Sequence, residues 1–261
     1  MATANLVDDL LRSDLADDPS RRAASEPHRA AVTAQRRRRW GKEASLAAVA
    51  LGAVTGFLAL TRTISGENGN RFDRFVVTKM GRARHPVSNH IATGLTQFGA
   101  VHGAIATSLL AIGLVRKKPR LVGQVVTGAI GGVCAELLLK RIFRRKRPTL
   151  LAHLERVKSS SFPSGHSMSA ASLYLTLGFV ASRSRRLRGH RAALLAGSAG
   201  FASAIGATRV FLGVHWPTDV LGGLALGTAW ACASEALFDL AAAGQLERDV
   251  RVSLAPPAPA Q

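Results

Sequence analysis

The chain has 261 residues, of which 47% are hydrophobic by count, and carries a formal net charge of +19. A soluble nucleic-acid binder of such charge would coat one face with cations and place aromatics among them, whereas here only 5% of residues are aromatic and the charges cluster between apolar runs. That pattern excludes a nucleic-acid partner and points to a membrane protein whose basic loops meet lipid or an anionic ligand. The two cysteines, Cys134 and Cys232, are too few for a disulfide framework and lie inside apolar runs, where each reads as a small buried hydrophobe.

In chain order, residues 1–43 are polar and mixed in charge, and end in Arg36, Arg37, Arg38 and Arg39 before Trp40. They read as a disordered cytosolic tail closed by an interfacial anchor, with at best a short amphipathic helix through Leu6, Leu10 and Leu11. Asp8, Asp9 and Asp14 stand where a cleavable signal would carry cations, so the first apolar run is expected to remain as an anchor. Residues 44–242 form the expected membrane domain, with apolar runs at 44–60, 91–115, 121–139, 167–182, 192–207 and 220–240, most of them near the roughly 20 residues a spanning helix needs. The expected fold is thus all-α, a six-transmembrane helix bundle, followed by a C-terminal tail at 243–261.

Gly128-x-x-x-Gly132 and Gly223-x-x-x-Gly227 are spaced for close helix approach. The 62–90 segment sets Phe72, Phe75, Val76, Val77 and Met80 among Arg71, Arg74, Lys79, Arg82 and Arg84. It reads either as an amphipathic helix on the bilayer surface or as a solvated connector with apolar anchors. Six spans return both termini to one side. The basic loops 116–120 and 183–191, with the arginines at 36–39, make that side cytoplasmic. The remaining loops, which hold the polar motifs, then share the extracytoplasmic face of a multi-pass cell-membrane protein.

Three constellations occupy that face. Lys140 closes the third run and Arg147-Pro148 follows; guanidinium clamps phosphate oxygens bidentately and lysine adds a compact charge. Pro163-Ser164-Gly165-His166 precedes the fourth run, where glycine admits an anion to backbone N–H groups with a helix dipole behind them. Arg209 and His215 precede Pro217, which favours the first helical position, so Asp219 lies in the first turn and reaches back to orient one imidazole nitrogen while the other attacks. Taken singly, each has a plainer reading: a juxtamembrane basic cluster, an N-cap turn, and a His-Trp-Pro interfacial anchor. Among the other ionisable residues, Glu136 is placed to pair with Lys140 one turn on, Glu235 and Asp239 read as interfacial, and His102 as a hydrogen-bonded packing residue.

In order and spacing, Lys140-x6-Arg147-Pro148, Pro163-Ser164-Gly165-His166 and Arg209-x5-His215-x3-Asp219 resemble the tripartite signature of the type 2 phosphatidic acid phosphatase superfamily. Thr208 stands where that family usually has serine, and keeps the hydroxyl. The resemblance covers about residues 70 to 240. It implies a membrane phosphatase with no metal or other cofactor: His215 as nucleophile forming a phosphohistidine, Asp219 orienting it, and His166 protonating the leaving oxygen. Lys140, Arg147, Ser164, Gly165 and Arg209 would hold the phosphoryl oxygens. The implied substrate is a lipid phosphate in the bilayer, with isoprenyl (undecaprenyl-type) diphosphate first and phosphatidic acid or phosphatidylglycerol phosphate as the alternative. Two rivals stand apart: vanadate-dependent halide oxidation on the same anion cradle, and a non-catalytic lipid-phosphate binding or transport protein, which gives no reason for the two histidines. Oligomeric state is not written in the sequence.

Overall fold

The computed structural model describes residues 19–64, 69–157 and 159–254. Those residues are helical wherever they are regular: α1 Pro19–Thr61, α2 Arg71–Arg82, α3 Pro86–Thr96, α4 Val101–Val115, α5 Pro119–Ile142, α6 Gly165–Ser182, α7 Arg191–Phe211 and α8 Pro217–Leu254, with short 3-10 turns before α4 and α7. The chain divides into two units, Met1–Ser45 and Leu46–Gln261, and the site lies wholly within the second. Helix α1 runs through the stretch for which composition gives no fold, while Leu6, Leu10, Leu11 and the last seven residues lie outside the described residues.

Among the described residues, four helices are long and apolar enough to cross a membrane, or five if the bent pair Pro86–Gly99 and Val101–Val115 is one span. The run at 91–115 is therefore not one straight helix. It bends by 59°. Ala100 is extended there, and a Cβ at Gly103 would fall 1.9 Å from the Gln97 carbonyl oxygen, so the chain can fold back on itself only with glycine at that position. His102 takes part in this turn through Gln97 Oε1 at 2.8 Å, on an exposed surface rather than in packing.

Helix α6 is not among those apolar candidates, and its surroundings explain why. It is buried along almost its whole length and packs against α5, α7 and α8, so its serines and threonine meet helices instead of lipid. Ser172 Oγ donates to the Gly128 carbonyl of α5, and Thr176 Oγ1 to its own Ser172 carbonyl. The paired glycines serve this packing. A Cβ at Gly132 would sit 2.9 Å from Ser169 Cα, and one at Gly227 would sit 2.4 Å from the Met168 carbonyl. Cys232 is buried as expected, but Cys134 is exposed, because the face of α5 that meets α6 carries the glycines and Cys134 points away from it.

Away from the motifs, Arg183 binds Glu235 at 2.8 Å and Asp239 at 2.9 Å, and Gln124 donates to Glu235. Glu235 is thus a buried, paired carboxylate. Of the two readings of the 62–90 segment, part of it is an amphipathic helix, α2, with Phe72 and Phe75 exposed; its other face buries Val77 against Trp216 and Val220, and also buries Asp73.

Because α6 admits no side chain at its crossing with α8, Gly227→Val is expected to destabilise the protein by about 1–3 kcal/mol or more through overpacking. Gly197→Ala, at a position with open space around it, should change little. Thermal unfolding of both variants in detergent reads the difference, and equal melting temperatures would show that the close crossing carries no stability.

Candidate active site

The irregular segment between α5 and α6 wraps over the starts of α6 and α8 and delivers most of the basic cluster. It is fastened at several points. Arg84 donates to the carbonyls of Phe211 at 2.7 Å and Ala152 at 2.7 Å, Leu154 N–H bonds Leu212 O at 3.0 Å, and Ser161 N–H bonds Arg145 O at 2.9 Å. Phe162 stacks on Phe57 at 5.4 Å and meets Phe143 edge-on at 5.0 Å. Trp216, 1% exposed, donates to Lys146 O at 3.1 Å; it is a core residue and not an interfacial anchor.

All eight predicted site residues converge here. His215 lies in the turn between α7 and α8, and Pro217 opens α8, so Asp219 occupies its first turn. Asp219 Oδ2 lies 3.4 Å from His215 Nδ1, within ion-pair reach but longer than a formed hydrogen bond. Arg147 Nη1 donates to His215 Nε2 at 3.1 Å, which makes Nε2 the lone-pair nitrogen and leaves the proton on Nδ1. Arg147 is further held by the carbonyls of Val214 at 2.6 Å and Ser159 at 2.9 Å.

Lys140 Nζ binds Glu136 Oε1 at 2.5 Å, the i to i+4 pair expected from the sequence, and Ser159 Oγ at 3.1 Å. Arg209, 1% exposed, donates to Thr96 Oγ1 at 2.9 Å and pairs with Glu155. Ser164 is the N-cap residue of α6; its N–H is committed to the Asp219 carbonyl at 3.0 Å, which joins the two motifs. Gly165 lets the Glu136 carboxylate approach the start of α6, since a Cβ there would lie 2.0 Å from it. His166, half-buried in the first turn of α6, has the cations Arg209, Lys140 and Arg147 and the His215 imidazole as neighbours.

Several participants escaped sequence reasoning. Asp73 accepts from Arg145 Nη2 at 2.7 Å and from Thr218 N–H at 2.9 Å; Arg145 Nη1 binds Asp219 Oδ1 at 2.5 Å; Ser161 Oγ donates to Asp219 Oδ2. Glu155 and Ser159 hold the site cations. The available signal for Asp73 was its solitude, as the only acid between Gly69 and His90.

Electrostatics follow from burial. His215 is drawn down to about 4, first by desolvation and then by the Arg147 and Arg209 charges, against the opposing pull of Asp219. Desolvation and the Arg209 charge bring Arg147 down to about 10. His215 is therefore neutral at physiological pH. Its folded pKa lies below the unfolded value of about 6.5, so the unfolded chain binds the proton more readily; this contribution to stability is full above about pH 6.5 and is lost as pH falls toward 4. NMR of labelled histidine, assigned by loss of a signal in His215→Gln, should show one imidazole titrating near pH 4. A midpoint at 6 or above would contradict this electrostatic description.

The PAP2 superfamily model matches residues 120–240. The chain is 31% identical over 174 residues to phosphatidylglycerophosphatase B of Bacillus subtilis (strain 168), covering 66% of this chain and 85% of that protein. It is 30% identical over 141 residues to decaprenylphosphoryl-5-phosphoribose phosphatase of Mycobacterium tuberculosis, covering 52% and 72%. The crystal structure of the transmembrane PAP2-type phosphatidylglycerolphosphate phosphatase from Bacillus subtilis superposes with a TM-score of 0.65 at 28% identity, over 71% of this chain and 93% of that one. Aquifex aeolicus LpxE shares the fold, with a TM-score of 0.52 at 24% identity over 63% and 95%.

Proposed function

The chain belongs to the PAP2 superfamily and is a multi-pass membrane phosphatase, and from that premise we propose that it hydrolyses a lipid phosphate through a phosphohistidine at His215. The observation that carries this reading is the imidazole itself: buried, with Nε2 accepting from Arg147 and Nδ1 turned to Asp219, an environment that holds its pKa low and the ring neutral. In the first step Nε2 forms a bond to phosphorus and the P–O bond to the lipid breaks. His166 gives a proton to the leaving oxygen, and Asp219 balances the positive charge that grows on the His215 ring. In the second step His166 takes a proton from water, whose oxygen bonds phosphorus as the P–N bond breaks and phosphate leaves. Arg147 exchanges its bond to Nε2 for a phosphoryl oxygen, while Arg209 and Lys140 supply the other fixed cations around the transition state.

For topology, we take the bent pair as one span and count α6, largely buried, beside it and the four apolar helices, which makes six, with both termini cytoplasmic and the site facing outward. For substrate, an outward site suits an isoprenyl (undecaprenyl-type) diphosphate. Phosphatidylglycerol phosphate is the second reading, favoured by the 31% identity to a phosphatidylglycerophosphatase. Purified protein in detergent, with chelator present, should release phosphate from one or more members of a panel holding both lipids and phosphatidic acid. His215→Ala should abolish release while remaining folded, and rapid quenching of wild type should trap an acid-labile phosphoenzyme. Normal turnover by the alanine variant would refute the nucleophile.

The acid role of His166 has its own signature. His166→Ala should lose about 10²–10⁴ in rate on a lipid alkoxide leaving group and far less on p-nitrophenyl phosphate, whose leaving group needs no proton. Equal losses on both would make His166 a phosphate-binding residue only.

A further inference from the structure

We propose that Asp73 and Arg145 are positioning residues for the reaction: they hold the Asp219 carboxylate in place and preserve its charge toward His215, which makes α2 part of the catalytic centre. The inference rests on the phosphohistidine reading above. Arg145 bridges two carboxylates, with Nη1 2.5 Å from Asp219 Oδ1 and Nη2 2.7 Å from Asp73 Oδ2, and its Nη1 also reaches Thr218 Oγ1 at 2.7 Å. The side chains of Arg145, Asp73 and Asp219 are 4%, 0% and 0% exposed, so water screens none of these charges. Asp73 also receives the Thr218 N–H and hydroxyl, each at 2.9 Å, and so pins the backbone one residue before Asp219.

Charge balance gives the trio its function. A lone guanidinium on Asp219 would cancel most of the negative field that the imidazole ring needs as it becomes positive during phosphoryl transfer. With Asp73 on the other side of the guanidinium, the three groups sum to one negative charge, and Asp219 Oδ2, the oxygen nearest His215, keeps its effect. The phosphate-site cations bond elsewhere: Lys140 to Glu136, Arg147 to the 159–160 segment and His215, Arg209 to Glu155. Disturbing Asp73 should therefore slow chemistry without weakening phosphate binding.

The test is Asp73→Asn, which preserves shape and the acceptor for Thr218 N–H but removes the charge. It is compared with wild type and with Arg209→Ala on whichever lipid phosphate wild type hydrolyses, with melting temperature measured alongside. We expect kcat to fall about 10- to 100-fold, as for a catalytic group displaced by a fraction of an ångström, with slower formation of the quenched phosphoenzyme and KM unchanged. Arg209→Ala should instead raise KM. Adding Arg145→Gln to Asp73→Asn should cost less than the product of the two single losses, because both act through Asp219. The proposal is overturned if folded Asp73→Asn turns over at the wild-type rate, if its loss lies in KM, or if Asp73→Asn and Arg145→Lys both fail to fold where wild type folds, which would make the trio scaffold alone. An inactive wild type would remove the phosphatase reading and this inference with it, whereas an active wild type with an equally active Asp73→Asn removes this inference alone.

Discussion

The guanidinium of Arg145, enclosed between Asp73 and Asp219, is the interaction on which the rest of the site is built. Three charges with almost no exposure are tolerable only because they satisfy one another, since an unpaired buried ion is costly enough that breaking such a pair typically destabilises by about 3–5 kcal/mol. The same cation stacks near the Trp216 ring at 5.6 Å, and its backbone carbonyl receives the Ser161 N–H. One residue thus ties the α5–α6 segment to α2 and to the first turn of α8. The positions of Arg147, two residues on, and of His215, in the turn before α8, follow from that knot.

The remaining cations obey the same electrostatic rule in a softer form. Lys140 and Arg209 are held by Glu136 and Glu155. Glu155 is about a third exposed, at 36%. Glu136 is 20% exposed and lies against Gly165. These carboxylates keep the cations extended and oriented, so that on the proposed mechanism less reorganisation is needed when a phosphoryl group arrives. The cations are thus held in two ways, Arg147 by backbone carbonyls and Lys140 and Arg209 by side-chain acids.

Much of the architecture was legible from residues 91–240 as written. Helical character, the glycine pairs spaced for close helix approach, the Lys140–Glu136 pair and the place of Asp219 in the first turn all follow from local spacing, whereas the helix that the glycines meet does not. What escaped has a common physical origin in long-range contacts. Asp73 meets Arg145 across 72 residues and Glu155 meets Arg209 across 54, and no periodicity encodes such partners. The break in the 91–115 run was hidden because Gly99 and Gly103 also suit a packed apolar helix. The run at 167–182 was legible as a helix, but not that its serines are satisfied against neighbouring helices, which takes contacts distant in sequence.

The place of Asp73 on α2 also bears on what counts as the smallest working piece of this protein. The stretch matched by the family model begins at residue 120 and contains every motif residue, from Lys140 to Asp219. A fragment cut at that point would carry the full complement of motif side chains and yet leave Arg145 with one carboxylate where the intact protein gives it two. It would also lack the bend before α4 and Thr96, which holds Arg209. The active centre is therefore not modular: its autonomy begins upstream of the conspicuous motifs, at the amphipathic helix.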